Sequence, residues 1–267
     1  MNKETTQLSP TLSIRISTDG FCFCTYLPQN PDSVTYIYHE CDKNISLRAN
    51  FDAAWQQHAL GEKEYANIQV IKASNNFTAI PSNSIEKEEY TAIYRSCFPN
   101  TSDETKILTN KLSAQNITIL FDIPIDLHER LCSLGETSYY SPISIIIGFF
   151  TRYKPQEERY LVANLQNDNM LLIGMEEETP LLMNGFHSES IDDKLYYLLC
   201  IWNEMGLSQE EESLLLCGDT SADKLQMLAK KFIRNIRNVN SRELFRPNLL
   251  NKIENIPFDL QALILCE

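Results

Sequence analysis

The sequence predicts an α/β chain made of two similar mixed-sheet units. Three observations carry this expectation. Short runs with strand periodicity, alternating or continuously apolar, open each half of the chain. Turn residues separate those runs. Segments at helical spacing then alternate with further short apolar runs. Read in order, both halves give strand, turn, strand, turn, strand, helix, strand, helix. This is a duplication of architecture, visible in element order and not in residue identity.

In the first half, Leu12, Ile14 and Ile16 alternate as a strand. Asp19-Gly20 is a tight-turn signal, with the glycine expected at positive φ. Phe21 to Tyr26 is apolar on both faces, which suits a central strand, and Val34 to His39 gives a third. Phe51 to Ala59 reads as a helix with Phe51, Ala54, Trp55 and His58 on one stripe. Short strands follow at Ile68 to Ile71 and Phe77 to Ile80. A helix is expected from Ser84 to Phe98, capped by Ser84 with Lys87 and Glu88 in its first turn. Ile117 to Phe121 is a further strand, and Asp126-Leu-His-Glu129 has capping-box spacing before another helix.

The stretch from Thr137 to Pro155 is the candidate boundary. Ser141-Pro142 places proline at a first helical position. Ile143, Ile146, Ile147 and Phe150 then fit helical spacing, although so many isoleucines also suit a strand. Lys154 to Glu158 is a polar breaker. The expected division is a first unit over 1–140, a connecting segment over 141–158 and a second unit over 159–267. In that second unit, Tyr160 to Leu165, Met170 to Met175 and Leu181 to Phe186 read as strands, separated by Asn167-Asp-Asn169 and Glu176-Glu-Glu178. Ser190 and Asp193 have capping-box spacing. Ile191, Leu195, Leu198, Leu199 and Trp202 form one apolar stripe that Gly206 is placed to end. Leu214 to Cys217 is a short buried strand. A last helix runs from near Ser221 through Lys231, with Leu225, Leu228 and Phe232 expected inward.

Composition narrows the functional classes. The chain has 267 residues, 43 % hydrophobic and 22 % charged, with 8 Gly and 11 Pro. This is globular composition, and neither fibrous nor low-complexity. Lys and Arg number 23 against 36 Asp and Glu, a net charge of −13. Such a chain repels phosphate backbones, so a general nucleic-acid binder is not expected. The first ten residues lack the apolar core of a secretory signal. The longest strongly apolar run, Ile143 to Phe150, is far short of the roughly 18 residues a membrane helix needs. The chain is therefore expected to be cytoplasmic, with no membrane span and its eight cysteines as reduced thiols.

The duplicated order resembles the actin-like ATPase superfamily, whose ribonuclease H-like halves flank a nucleotide cleft. More narrowly, the whole chain resembles a family of uncharacterised bacterial proteins from Bacteroidetes with this fold. The local support is Leu214-Leu-Leu-Cys-Gly-Asp-Thr-Ser221, which looks like the superfamily's adenosine motif. Gly218 matches its first glycine, Asp219 stands where a second is expected, and Ser221 matches the hydroxyl residue. The first phosphate loop of working members carries an Asp, then Gly, then Thr or Ser; aligned there, this chain has Arg15, Ser17 and Thr18. The second resembles Asp-x-Gly-Gly-Gly-Thr, and here the run is Asn164-Leu-Gln-Asn-Asp-Asn169, with the acid and the glycines absent.

These departures have physical content. Glycine lets backbone N–H groups approach phosphate oxygens. Side chains at Gln166, Asn167 and Asp168 occupy that space, and Asp168 repels a polyphosphate. Magnesium needs carboxylates beside the phosphates, and Arg15 and Asn164 remove both. The resemblance therefore implies two tandem ribonuclease H-like domains with mixed sheets around a degenerate cleft. Ser17, Thr18, Asn164, Asn167, Gly218, Asp219 and Ser221 are its vestigial nucleotide-binding residues. No cofactor is expected; the alternative is ATP with magnesium at altered phosphate contacts. The resemblance to actin-like components of bacterial secretion and pilus assembly implies an adaptor or scaffold working through a protein partner.

Other candidates weigh less. Arg15 reads as an exposed edge residue, with an anion contact as the alternative. Cys22, Cys24, His39 and Cys41 could converge as a zinc site, but buried thiols beside Phe21 and Phe23 are the simpler reading. Asp122, Asp126, His128 and Glu129 form an acidic group where ribonuclease H-like enzymes place metals; no metal site is expected, since the first strand lacks its acid. His187 reads as a surface residue. Lys230, Lys231, Arg234, Arg237, Arg242 and Arg246 are the one basic cluster, and the first four are the candidate contact for a partner. No nucleophile elbow or Walker loop is present, so no catalytic residue is assigned.

Overall fold

Leu12, Ile14 and Ile16 do form a strand, β1 (Thr11–Ile16), in a computed structural model that describes residues 9–28, 30–219, 221–239 and 256–266. Every residue of β1 is buried, because the strand lies mid-sheet with apolar layers on both faces. It pairs antiparallel with β2 (Gly20–Leu27), which pairs antiparallel with β3 (Asn30–Glu40). On its other side β1 runs parallel to β4 (Asn67–Lys72), followed by β8 (Thr137–Tyr140). The first sheet therefore has the order β3-β2-β1-β4-β8.

The second half repeats this order. Its strands are β9 (Arg159–Gln166), β10 (Asn169–Glu176), β11 (Thr179–His187), β12 (Ser213–Gly218) and β13 (Asn235–Asn238). They assemble as β11-β10-β9-β12-β13, with the same pattern of antiparallel and parallel pairs. Ile14 sits between Phe23 and Val70 as Val162 sits between Ile173 and Leu215. A third sheet, β5-β7-β6, is inserted in the first half from β5 (Phe77–Pro81), β6 (Thr105–Leu112) and β7 (Ile117–Pro124).

The helices cover the sheet faces. On the outer face of the first sheet lie α1 (Leu47–Gln57) and α3 (Ile125–Cys132). The small sheet carries α2 (Tyr90–Cys97), whose Tyr94 is buried against Ile80 and Leu120. The outer face of the second sheet carries α5 (Ile191–Glu204) and α6 (Ser221–Ala229). Between the two large sheets lie α4 (Pro142–Tyr153) and α7 (Phe258–Cys266). Their rings meet directly, Phe149 and Phe258 edge-on at 5.0 Å. This middle layer draws on both halves: Cys24 and Ile71 from the first sheet, Val162 and Leu215 from the second.

Local chemistry explains most boundaries. Isoleucine-rich α4 is helical because Pro142 sets its first φ, and because it is buried on several sides rather than along one stripe. Helix α5 begins with the expected capping box, in which the Ser190 hydroxyl accepts from the Asp193 N–H and the Asp193 carboxylate accepts from the Ser190 N–H. It ends at Gly206 (φ 62°), where Leu207 and Gly206 donate back to the Trp202 and Asn203 carbonyls.

Several sequence expectations need correction. Gly20 is not at positive φ. It is the first residue of β2, where a Cβ would sit 2.6 Å from the His39 carbonyl oxygen, so close approach demands the glycine. Ser84 does not cap α2; a 3₁₀ turn capped reciprocally by Glu86 and Glu89 leads into it. Asp126 caps nothing at N-cap position: α3 starts after Pro124, and the Asp126 carboxylate accepts from the next N–H, of Leu127. Phe232 lies beyond α6 and is 42 % exposed, not inward. Strands β6, β8 and β13 and helix α7 were not anticipated.

Candidate functional site

The equivalent hairpins of the two halves face each other across a cleft of about 1280 Å3. In the first, Ser17, Thr18 and Asp19 join β1 to β2, and the Ser17 hydroxyl donates to the Gly20 carbonyl at 2.8 Å. In the second, Asn167 and Asp168 join β9 to β10, with Asn167 in the left-handed region at φ 48°. Five hydrogen bonds tie the halves together here. Asn167 Nδ2 donates to Asp19 Oδ2 at 2.6 Å. Asn75, in the loop after β4, donates to Asn169 Oδ1 at 2.6 Å. Arg15 Nη2 donates to Gln166 Oε1. Arg15 Nε also reaches both oxygens of Asp259, at the start of α7, at 2.9 Å.

The Arg15 expectation is thereby overturned. Arg15 is 6 % exposed, and its partner Asp259 is fully buried. The reason is topological: β1 is central, so its polar position faces α7 and not an open edge. Burial works against the charged guanidinium, but Asp259 outweighs it and raises the group above its ordinary value. Next to Arg15, the Cys22 thiol is pushed up by burial, with Arg15 acting the other way.

The third element of the cleft is the end of β12. Gly218 (φ 111°) pairs with Leu165, and a Cβ there would fall 1.9 Å from the Leu165 carbonyl oxygen. Glycine is required on both counts. Asp219 follows. Its Oδ2 accepts from the Asn167 backbone N–H at 2.6 Å. Its Oδ1 accepts from the Ser221 N–H at 2.7 Å and from the Ser221 hydroxyl at 2.5 Å. One carboxylate therefore takes donors of the β9–β10 loop and of the α6 N-terminus together. Asn164, on β9, is 1 % exposed; its Oδ1 receives a weak contact from the Cys217 thiol at 3.6 Å, and its Nδ2 has no partner.

The residues expected at a vestigial nucleotide cleft do lie close together: Ser17, Thr18, Asn164 and Asn167 around the two hairpins, Gly218, Asp219 and Ser221 on the facing β12–α6 turn. Asp19, Lys72 and Asp259 were missed; Gln166, expected to crowd the second loop, also accepts from Arg15. Asp19 adjoins positions the motifs had flagged. Lys72 and Asp259 carry no local pattern; Arg15 and Asp259 are 244 positions apart.

Other candidates do not assemble. In the β2–β3 register, Phe21 faces His39 while Cys22 faces Tyr38. Cys22 and Cys24 point into the middle layer; Cys41 packs with the outer-face cluster around Phe21. Asp122 interacts with Tyr94, and His128 stacks on Tyr139 at 5.0 Å. Among the described residues no three His, Cys, Asp or Glu side chains are grouped to hold a metal. His187 is exposed beside Glu189. The basic cluster is divided. Arg234 pairs with Glu210 at 2.9 Å and Arg237 with Glu157 at 2.5 Å, while Lys230 and Lys231 stay exposed. Arg242 and Arg246 lie outside the described residues. No helix among them is long and apolar enough to cross a membrane.

Comparison with known proteins agrees with this architecture. A family model described as a protein of unknown function, DUF3822, matches residues 2–236. A crystal structure from Bacteroides thetaiotaomicron VPI-5482, described as having an actin-like ATPase fold and unknown function, is similar over 100 % of both chains, at 27 % identity and a TM-score of 0.84. The structure of a PilM–PilN type IV pilus biogenesis complex is similar over 96 % of this chain and 97 % of its own, at 15 % identity and a TM-score of 0.60. No curated protein matches. The fold is therefore that of the actin-like ATPases: two ribonuclease H-like units around a cleft.

Proposed function

The chain belongs to the DUF3822 family of proteins of unknown function, and we propose that it is a non-catalytic adaptor in which side chains of the protein itself occupy donors at the cleft. The observation that carries this reading is the Asp219 carboxylate, which accepts from Asn167 N–H, Ser221 N–H and the Ser221 hydroxyl. The Asn167 N–H belongs to the loop that resembles the second phosphate loop, and Ser221 to the run that resembles the adenosine motif, so one carboxylate occupies donors of both. A second negative group placed there meets both repulsion and a lack of donors. The magnesium position fares no better. It would need a carboxylate on the first strand; this chain places Arg15 there, neutralised by Asp259. The residues present do not fit a magnesium triphosphate.

An adaptor needs a surface as well as an inert cleft. The end of α6 offers one. Met227 is 67 % exposed and Phe232 42 % exposed, beside the exposed Lys230 and Lys231. Apolar side chains rimmed by cations suit a partner with an acidic, apolar face. The PilM–PilN structure is by its title a complex of two proteins, which is consistent with partner binding on this fold and identifies no partner here.

Two measurements test the proposal. Millimolar Mg-ATP should leave the melting temperature of the purified chain unchanged. A nucleotide at 100 times its Kd would add about 2.7 kcal/mol and move it visibly, and such a rise would end the non-catalytic reading. Capture from the native lysate should recover a protein that the Lys230→Glu/Lys231→Glu variant fails to recover. Equal recovery by the variant would remove this surface from the proposal.

A further inference from the structure

Beside the ties between the two hairpins lies a second, smaller cavity of about 240 Å3. It is below the usual range of about 300–1,000 Å3 for drug-sized ligands, so it suits a small group and not a nucleotide. Its lining is dominated by donors. Arg15 and Lys72 bring two cations, and Asp19 is the sole carboxylate among the lining residues. Asp19 is committed to the Asn167 amide, and Arg15 is balanced by Asp259. Lys72, at the end of β4, has no carboxylate within salt-bridge reach among the described residues. Burial lowers its ammonium below the ordinary value, with Asp122 acting in the opposite sense and Arg15 in the same one.

Two side-chain amides add to this. Asn164, 1 % exposed, lines the cavity with its Nδ2 unpartnered, and Gln166 does the same with its Nε2. An unpaired buried amide donor has lost its water and gained nothing in return, so native structures rarely leave two together. The first turn of α4 also reaches the cavity at Pro142, bringing the positive end of a 12-residue helix. An ammonium with no salt-bridge partner among the described residues, two unpartnered amides and a helix N-terminus share one requirement, an acceptor carrying negative charge.

We propose that this cavity binds one compact oxyanion, the size of a phosphate or a carboxylate group, held by Lys72, Asn164 and Gln166. The cavity lies between the same two hairpins, but its donors are side-chain groups that replace glycine-loop N–H groups, and the Asn167 N–H is already taken by Asp219. It goes beyond the adaptor reading and does not depend on it.

The test is a thermal-shift and calorimetric titration of the full chain with orthophosphate, sulfate and acetate, each against chloride at matched ionic strength. At least one oxyanion should raise the melting temperature saturably where chloride does not. A response to the tetrahedral anions alone assigns a phosphate-like ligand; a response to acetate alone assigns a carboxylate. Lys72→Gln should weaken binding at least tenfold. Thr18→Glu, on the exposed rim of the cavity, puts a negative charge at the entrance without touching the packed interior and should also weaken it. The proposal is overturned if no oxyanion outperforms chloride, or if both variants bind as tightly as the natural chain. A shift with Mg-ATP that persists in Lys72→Gln would count against the adaptor reading and leave this one to the oxyanion titration.

Discussion

Arg15 shows how much one residue decides in this molecule. Its guanidinium joins β1 of the first half to Gln166 of the second and to Asp259 of the last helix. Removing one member of a buried pair strands the other charge, at about 3–5 kcal/mol. Asp259→Ala should therefore destabilise the chain by that amount in chemical denaturation. Replacing both members with apolar residues, as Arg15→Met with Asp259→Leu, should recover most of the loss, because no unpaired charge remains. Comparable midpoints for the single and double variants would show that the pair is not the source of the cost. In the sequence, Arg15 could be flagged as out of place between Ile14 and Ile16. Its burial could not be read, since that depends on a carboxylate contributed by a distant helix.

At the scale of elements, legibility followed how local the signal was. Strands β1, β2, β9 and β10 and helix α5 were readable because alternation, turn residues and a capping box sit within a few positions of each other. Strand β6 was missed: five of its eight residues are only partly buried and the other three are exposed, so its Lys, Thr and Asn positions blur the alternation. Strand β8 is four residues, all partly buried. Helix α7 is apolar around most of its circumference, because it is enclosed between two sheets, and so shows no stripe.

Helices α1 and α3 are tied by Asp52, which accepts from Arg48 at 2.6 Å and from Arg130 at 2.7 Å. Burial tends to raise the Asp52 carboxyl, but hydrogen bonds from Arg130 and Arg48 outweigh it and hold the group below its ordinary value. A folded-state value below the unfolded one gives stability that is present above about pH 4 and lost as pH falls through the lower value. Asp52→Asn should thus lower the urea midpoint at pH 7 and have less effect at pH 3. An equal drop at both values would exclude this linkage.

Taken whole, the molecule has two sheets of one topology but a shared interior. The middle cluster takes side chains from both sheets and from α4 and α7, and the hydrogen bonds between the hairpins close one side of the cleft. The halves should therefore unfold together. Trp55 lies in the first half and Trp202 in the second, and the chain has 2 tryptophans in all. Fluorescence of Trp55→Phe reports the second half alone, and Trp202→Phe the first. Each variant's fluorescence midpoint should coincide with its own circular-dichroism midpoint. Separate midpoints within either variant would mean that the halves melt independently.

The Asp219 carboxylate has a consequence for how such a protein responds to its surroundings. A diffusing anion competes for a site in proportion to its concentration, but a group built into the backbone's own turn is present at an effective concentration of millimolar or more and never leaves. On the proposed reading, an added anion would have to displace this carboxylate from three donors before it gained any of its own.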